Sequence, residues 1–181
     1  MIFYELPLAG AFSVEIEPRS DERGFFARAY CREEFQNHGL SGDLEQCNIS
    51  FNQKIGTLRG LHFQAPPFWE EKLMRCTLGA IYAVVVDLRR DSPTFLSWHA
   101  LELSQNNRQM LFAPQGMATG FQTLRDESEV FYQMSRAYQP GAERGVRFDD
   151  AAFGIKWPLP VSSIAPRDAA YLDFNAETFD E

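Results

Sequence analysis

With 181 residues, 45% hydrophobic composition and 16 phenylalanines, the chain can bury one substantial core, and a single domain over residues 1–181 is expected. A net charge of -8 and a pI near 4.9 exclude a broad nucleic-acid or anionic-membrane surface, so any anionic ligand must be small and held by a few arginines in a cleft. Cys31, Cys47 and Cys76 show no paired short spacing, which excludes a disulfide framework and a CxxC zinc or redox site and fits a reducing compartment. The N-terminus carries no secretory pattern and no run reaches ~18 apolar residues, so a soluble, cytoplasmic protein is expected.

Taken in order, Phe12 to Glu17 and the region from Phe25 to Tyr30 alternate at period two, with Pro18 to Gly24 as turn chemistry between them; an opening hairpin is expected. Cys31 to Gly39 suits a short helix with a glycine stop, and His38 in its last turn should face solvent. Strand-like segments then recur at short intervals: Gln46 to Gln53, Thr57 to Gln64, Leu73 to Leu78, Ile81 to Leu88, Phe95 to Leu103, Gln109 to Ala113, Gly120 to Leu124 and Val130 to Ser135. Polar, Gly- or Pro-bearing turns separate them. Many short strands with little helix imply a β-sandwich or closed barrel whose interior or mouth can hold one small ligand. The tail after Trp157-Pro158-Leu159-Pro160 reads as loop with one helical turn. Its Tyr171, Phe174 and Phe179 should pack back on the barrel.

The stretch Thr57-Leu58-Arg59-Gly60-Leu61-His62-Phe63-Gln64 concentrates the chemistry, with the cluster Glu70-Glu71-Lys72 starting eight positions after its histidine. Histidine exchanges protons near neutral pH, and the chain has three. On its residues alone, His62 fits a satisfied core histidine as well as a base, Tyr132 fits a buried strand aromatic, and Lys72 fits a solvated face. Asp87 and Arg89 read as a structural ion pair, and His99 as a strand exterior. Strict alternation puts Leu58, Gly60, His62 and Gln64 on one face and Arg59, Leu61 and Phe63 on the other, so Arg59 and His62 share a cavity only if Gly60 carries a bulge.

From about Phe12 to Asp168 the sequence resembles the dTDP-4-dehydrorhamnose 3,5-epimerase family of cupin-fold sugar-nucleotide epimerases. The markers are Asp21-Glu22-Arg23-Gly24-Phe25-Phe26, Leu58 to Gln64, Lys72-Leu73, Val86-Asp87-Leu88-Arg89, Ser92-Pro93-Thr94, Pro114-Gln115-Gly116 with Gly120-Phe121, Glu143 to Arg147, and Gly154 to Pro158. The resemblance implies an all-β cupin or jelly-roll barrel with short peripheral helices. It also implies a homodimer, no cofactor, no metal, and a nucleotide-diphosphate 4-keto-6-deoxysugar as substrate. By position, His62 would be the base, Asp168 its orienting carboxylate, with Asp173 close by as a rival, and Tyr132 the acid. Lys72 and Arg59 would sit near the ketone and phosphates. Arg23 and Phe26 resemble nucleotide-contacting positions reached from the partner subunit, and Gln46, Asn48, Thr119 and Arg144 complete the expected substrate-binding set. Three departures stand out. Thr119 occupies the place of a usual histidine in Gly116-Met117-Ala118-Thr119-Gly120-Phe121, Arg28 replaces an expected glutamate, and Gln46-Cys47-Asn48-Ile49-Ser50 stands where Gln-Asp-Asn-His-Ser is typical.

A base beside the carbon next to a ketone, a donor on the ketone oxygen and an acid on the other face suffice for epimerisation without metal or organic cofactor. Two other classes share the architecture. A metal-dependent cupin would need several ligands converging on one ion, commonly His-x-His with a later His, but Phe63-Gln64 follow His62 and Thr119 stands at the later position. A non-catalytic sugar-nucleotide binder would keep the cavity and lose turnover.

Overall fold

The structure, a computed structural model, describes residues 1–177; Phe179 therefore lies outside the described residues. Runs in which both faces are apolar, such as Ala80–Asp87, alternate along the chain with half-polar runs such as Gln46–Asn52. That contrast assigns the first kind to positions covered on both faces and the second to an edge. The elements are β1 (Ile2–Glu5), β2 (Phe12–Glu15), β3 (Arg19–Asp21), β4 (Gly24–Phe26), α1 (Arg32–Asn37), β5 (Gln46–Asn52), β6 (Thr57–Gln64), β7 (Lys72–Leu78) and β8 (Ala80–Asp87). They continue with β9 (Trp98–Ser104), β10 (Met110–Ala113), β11 (Met117–Thr123), β12 (Ser128–Met134), β13 (Glu143–Gly145), β14 (Ser163–Ile164) and α2 (Pro166–Ala169). One antiparallel sheet runs β1-β2-β10-β7-β12-β5 and a second runs β13-β6-β11-β8-β9, with β14 added parallel to β6. This is the jelly-roll, cupin-type architecture expected from the sequence.

Alternation along each strand divides the packing into three layers. Between the sheets, Met74, Cys76, Leu111 and Val130 from the first meet Ile81, Ala83, Val85, Leu103 and Phe121 from the second. Outside the first sheet, Phe35 of α1 packs on Phe12, Val14, Leu73, Met110 and Phe112. Outside the second, Phe153 and Ile155, with partly buried Trp157 and Phe174, cover Leu61, Phe63, Val84 and Val86. The tail thus packs back as expected. Because apolar side chains fill the space between the sheets only in part, the remaining inward positions are polar: Lys72, Asn48 and Tyr132 from one sheet, His62 and Thr119 from the other.

The opening hairpin is different from the expected one. Phe12–Glu15 does alternate into a strand, but it pairs with Ile2–Glu5 on one side and β10 on the other. The hairpin forms instead within the polar stretch, where Arg19–Asp21 pairs with Gly24–Phe26 as a separate ribbon. A carboxylate of Asp21 takes the Arg23 amide at 2.9 Å and closes a turn far tighter than a seven-residue connection. His38 follows α1, its Nδ1 2.8 Å from the Glu34 carbonyl and its ring stacked on Phe3 at 4.0 Å. His99 departs from expectation: it shares the β9 face of Leu101 and Leu103, which turn toward the inter-sheet core, and burial lowers its pKa. Among the described residues no helix is long and apolar enough to cross a membrane.

Candidate active site

A cavity of about 780 Å³ opens between the two sheets. It is lined by eight of the eleven residues singled out in the sequence: His62, Tyr132, Asp168, Lys72, Gln46, Asn48, Arg59 and Thr119. His62 and Thr119 stand opposite each other on β6 and β11, while Tyr132 and Asn48 stand opposite each other on β12 and β5, in the facing sheet. The histidine and the tyrosine therefore come from opposite walls.

The placement of Arg59 beside His62 depends on a bulge. Thr119 pairs with His62 and Phe121 with Arg59, so Gly60 and Leu61 together face Gly120 alone. The extra residue turns Arg59 and His62 to the same side. Gly60 adopts φ of 112°, and a Cβ there would lie 2.6 Å from the Gly120 Cα and 2.8 Å from the Thr119 carbonyl oxygen, so the position requires glycine. The same kink points the Gly60 amide out of the ladder, and it donates to Asp168 Oδ2 at 3.1 Å.

Asp168 reaches this point from the single turn of α2, opened by Pro166 at the start of the helix. It is 2% exposed, and its Oδ1 lies 2.8 Å from His62 Nε2. Burial opposes the charge on this carboxyl, but the hydrogen bond and charge of His62, the Gly60 amide and Arg167 outweigh it and hold the pKa below the usual carboxylate range. With Nε2–H donated to a carboxylate, the ring lone pair falls on Nδ1, the arrangement a general base uses. The rival carboxylate Asp173 is elsewhere, paired with Arg147 at 2.8 Å.

Lys72 is buried, not solvated: its ammonium lies 2.8 Å from Glu70 Oε1 and donates to the His62 carbonyl at 3.1 Å. Glu70 accepts the Gln64 amide with its other oxygen at 3.1 Å. Arg59 donates to Asn52 Oδ1 at 2.6 Å. On the facing wall, burial pushes the Tyr132 phenol up, partly offset by Arg59 and by a hydrogen bond with Asn48, so the hydroxyl stays protonated at neutral pH. Asp87, by contrast, is spent on structure, accepting from Arg89, Ser92 and Thr94.

Three expected residues do not line this cavity within the chain. Arg144 donates to the carbonyls of Gly141 and Glu143. Arg23 pairs with Asp21, and Phe26 is 75% exposed on the small ribbon. The cavity also gathers residues that the sequence did not single out as site groups, among them Gln64, Glu70, Tyr138, Glu143 and Arg167. Glu70 was visible as a neighbour of Lys72 and Glu143 as the first residue of a family marker; that Glu143 pairs with Arg167 carries no local signal, because they meet only through the tail. No group of three or more His, Cys, Asp or Glu side chains able to hold a metal ion occurs among the described residues.

The model of the dTDP-4-dehydrorhamnose 3,5-epimerase family matches residues 5–176. The chain belongs to that family. A dTDP-4-dehydrorhamnose 3,5-epimerase of Sinorhizobium fredii is 40% identical over 158 residues, covering 87% of this chain and 81% of the relative. The crystal structure of the Bacillus anthracis epimerase with TDP and PPi bound superposes with a TM-score of 0.92 at 35% identity, covering 96% and 99% of the two chains. A 3'-monoepimerase of Streptomyces bikiniensis, solved with dTDP-quinovose, gives a TM-score of 0.82 at 32% identity, covering 90% and 83%. The protein is thus an isomerase of the epimerase class.

Proposed function

We propose that this enzyme epimerises a dTDP-linked 4-keto-6-deoxyhexose by removing a proton from a carbon beside the ketone and returning one to the opposite face. The observation that carries the reading is the His62–Asp168 pair facing Tyr132 across one cavity. Nδ1 of His62 takes the proton, and Asp168 fixes the ring and stabilises the imidazolium. Lys72, charge-paired with Glu70 and anchored on the His62 backbone, offers a compact cationic donor to the developing enolate; such a donor is worth ~3 kcal/mol. Tyr132 supplies the proton from the facing wall, and Arg59 serves the diphosphate. The ligands bound in the related structures, TDP and dTDP-quinovose, support the nucleotide assignment.

Thr119 favours a narrower form of this reading. It stands opposite His62 on the cavity wall, and its hydroxyl can hydrogen-bond a ketone or water but carries no charge and shuttles no proton at neutral pH. With one base and one acid in place, inversion is efficient at C3 and slow or absent at C5. Solvent-deuterium labelling of the dTDP 4-keto-6-deoxyhexose, followed by NMR at each carbon, tests both levels. Labelling at C3 well ahead of C5 is expected. Equal rates would overturn the C3 preference, and no labelling at either carbon would leave a sugar-nucleotide binder.

The same reading includes a homodimer. Strand β5 ends its sheet as an open edge with Ile49 64% and Phe51 47% exposed, and the β3–β4 ribbon carries Phe25, Phe26 and Arg23 into solvent. An apolar edge and an apolar ribbon on one molecule suit a second copy, whose Arg23 and Phe26 then reach the nucleotide end of the cavity.

A further inference from the structure

Asp150 is buried, 4% exposed, and has no part in the chemistry proposed above; neither it nor Phe174, its partner across 24 positions, lines the cavity. Its two oxygens are divided between near and distant backbone. Oδ1 accepts the Ala152 amide at 2.8 Å and closes its own turn, while Oδ2 accepts the amide of Phe174 in the tail. The Phe174 ring packs beside Phe153 at 5.4 Å and Phe95 at 6.3 Å, so hydrogen bond and packing fix the same point of the chain. A carboxylate withdrawn from water must be matched by donors, and here one of them is brought by the tail itself.

The tail is thus tied down at two places. Upstream, Ser163 and Ile164 pair with Thr57 and Leu58 of β6; downstream, Phe174 is held by Asp150. Between these ties lies α2, one turn over Pro166–Ala169 with no side-chain cap at its start. A single helical turn has little stability of its own, so the direction of Asp168 is set by the two ties and by its contacts with His62 and the Gly60 amide. A segment tied at one end only can swing about that end, and a displacement of about 1 Å in a catalytic group can cost about 10²-fold in rate. We propose that Asp150 is a positioning residue for Asp168: by holding Phe174 it closes the tail into a strap that keeps the carboxylate on His62, without touching the substrate.

The proposal rests on the reading of His62 and Asp168 as a working pair, and its test is a double-mutant cycle. For Asp150→Asn, Asp168→Ala and the double variant, kcat, KM and dTDP affinity are measured on the dTDP 4-keto-6-deoxyhexose, well below each melting temperature. Asparagine keeps the volume and one acceptor oxygen, which stays with the Ala152 amide two residues on, the local turn that asparagine favours. The Phe174 amide then loses its acceptor. In Asp150→Asn, kcat should fall roughly tenfold with KM and dTDP affinity unchanged, and the Gly60 amide should exchange faster with deuterated water as its acceptor moves. In the Asp168→Ala background the same substitution should cost less than about twofold. A residue that only stabilised the fold would lower the melting temperature and leave kcat alone. If Asp150→Asn does not fold, Phe174→Leu, which loosens the same tie from the other side, takes its place in the cycle. Wild-type kcat in the folded variant, or losses that add in the double variant, would overturn the proposal while the pair stands. Full turnover in Asp168→Ala would sink the reading of the pair, and the proposal with it.

Discussion

Chemistry at the scale of single residues depends here on which neighbour each polar group is given. His62 was legible as a candidate because an imidazole among apolar strand residues has few reasons to be there, yet the sequence left it equally a core histidine; Asp168 at 2.8 Å and 106 positions away, at the wall of a cavity, supports the proposal that it is the base. Lys72 went the other way, from an apparent surface charge beside two glutamates to a buried ammonium with a defined partner, since the turn before β7 folds Glu70 inward. The pairing of Arg167 with Glu143, 24 residues apart, could not be read at all, because it is made by the tail lying against β13. Tyr132 is where the assignment of roles is most exposed. If its phenol, held protonated by burial, delivers the second proton, Tyr132→Phe should still exchange solvent deuterium into the substrate while its net inversion falls about 10²-fold. Parallel measurement of exchange and inversion decides it: loss of both together would make Tyr132 a binding residue.

At the scale of elements, the strand boundaries were mostly legible because apolar periodicity and Gly, Pro and Asn punctuation coincide; β6 falls on the expected Thr57 to Gln64. The opening hairpin was misjudged because alternation reports that a strand exists, not which strand it joins, and Ile2–Glu5 offered no turn signal of its own. The bulge at Gly60 was reachable from the sequence through a contradiction: two residues wanted in one cavity could not both face it under strict alternation. It also carries more than was expected, since it supplies the amide that holds Asp168. A methyl group at Gly60 would meet backbone atoms of Thr119 and Gly120 at 2.8 and 2.6 Å, on a residue at positive φ. Gly60→Ala should therefore cost about 3 kcal/mol, lowering the melting temperature by roughly 5–10 °C, and should reduce turnover further than stability alone explains. A melt within a degree of wild type with full activity would show that the bulge is not needed.

For the whole molecule, a jelly-roll whose interior is apolar at one part and polar at another turns a folding element into a reaction vessel: apolar packing between the sheets and on both outer faces holds them in place while inward positions stay free for chemistry. The unfilled role is that of Arg23 and Phe26, which stand clear of their own cavity. If a second copy receives them, mixing inactive His62→Asn subunits with impaired Arg23→Ala subunits should regenerate about a quarter of wild-type activity, because half of the dimers are mixed and each holds one intact site. Activity no greater than the sum of the separate variants would argue for sites complete within one chain. The central claim, that His62 removes the proton beside the ketone, is tested most directly by the rate of solvent-deuterium incorporation into the bound sugar for wild type and His62→Asn, with dTDP affinity measured alongside. The account predicts exchange at least ~10²-fold slower in the variant with dTDP binding unchanged; exchange within tenfold of wild type would contradict it.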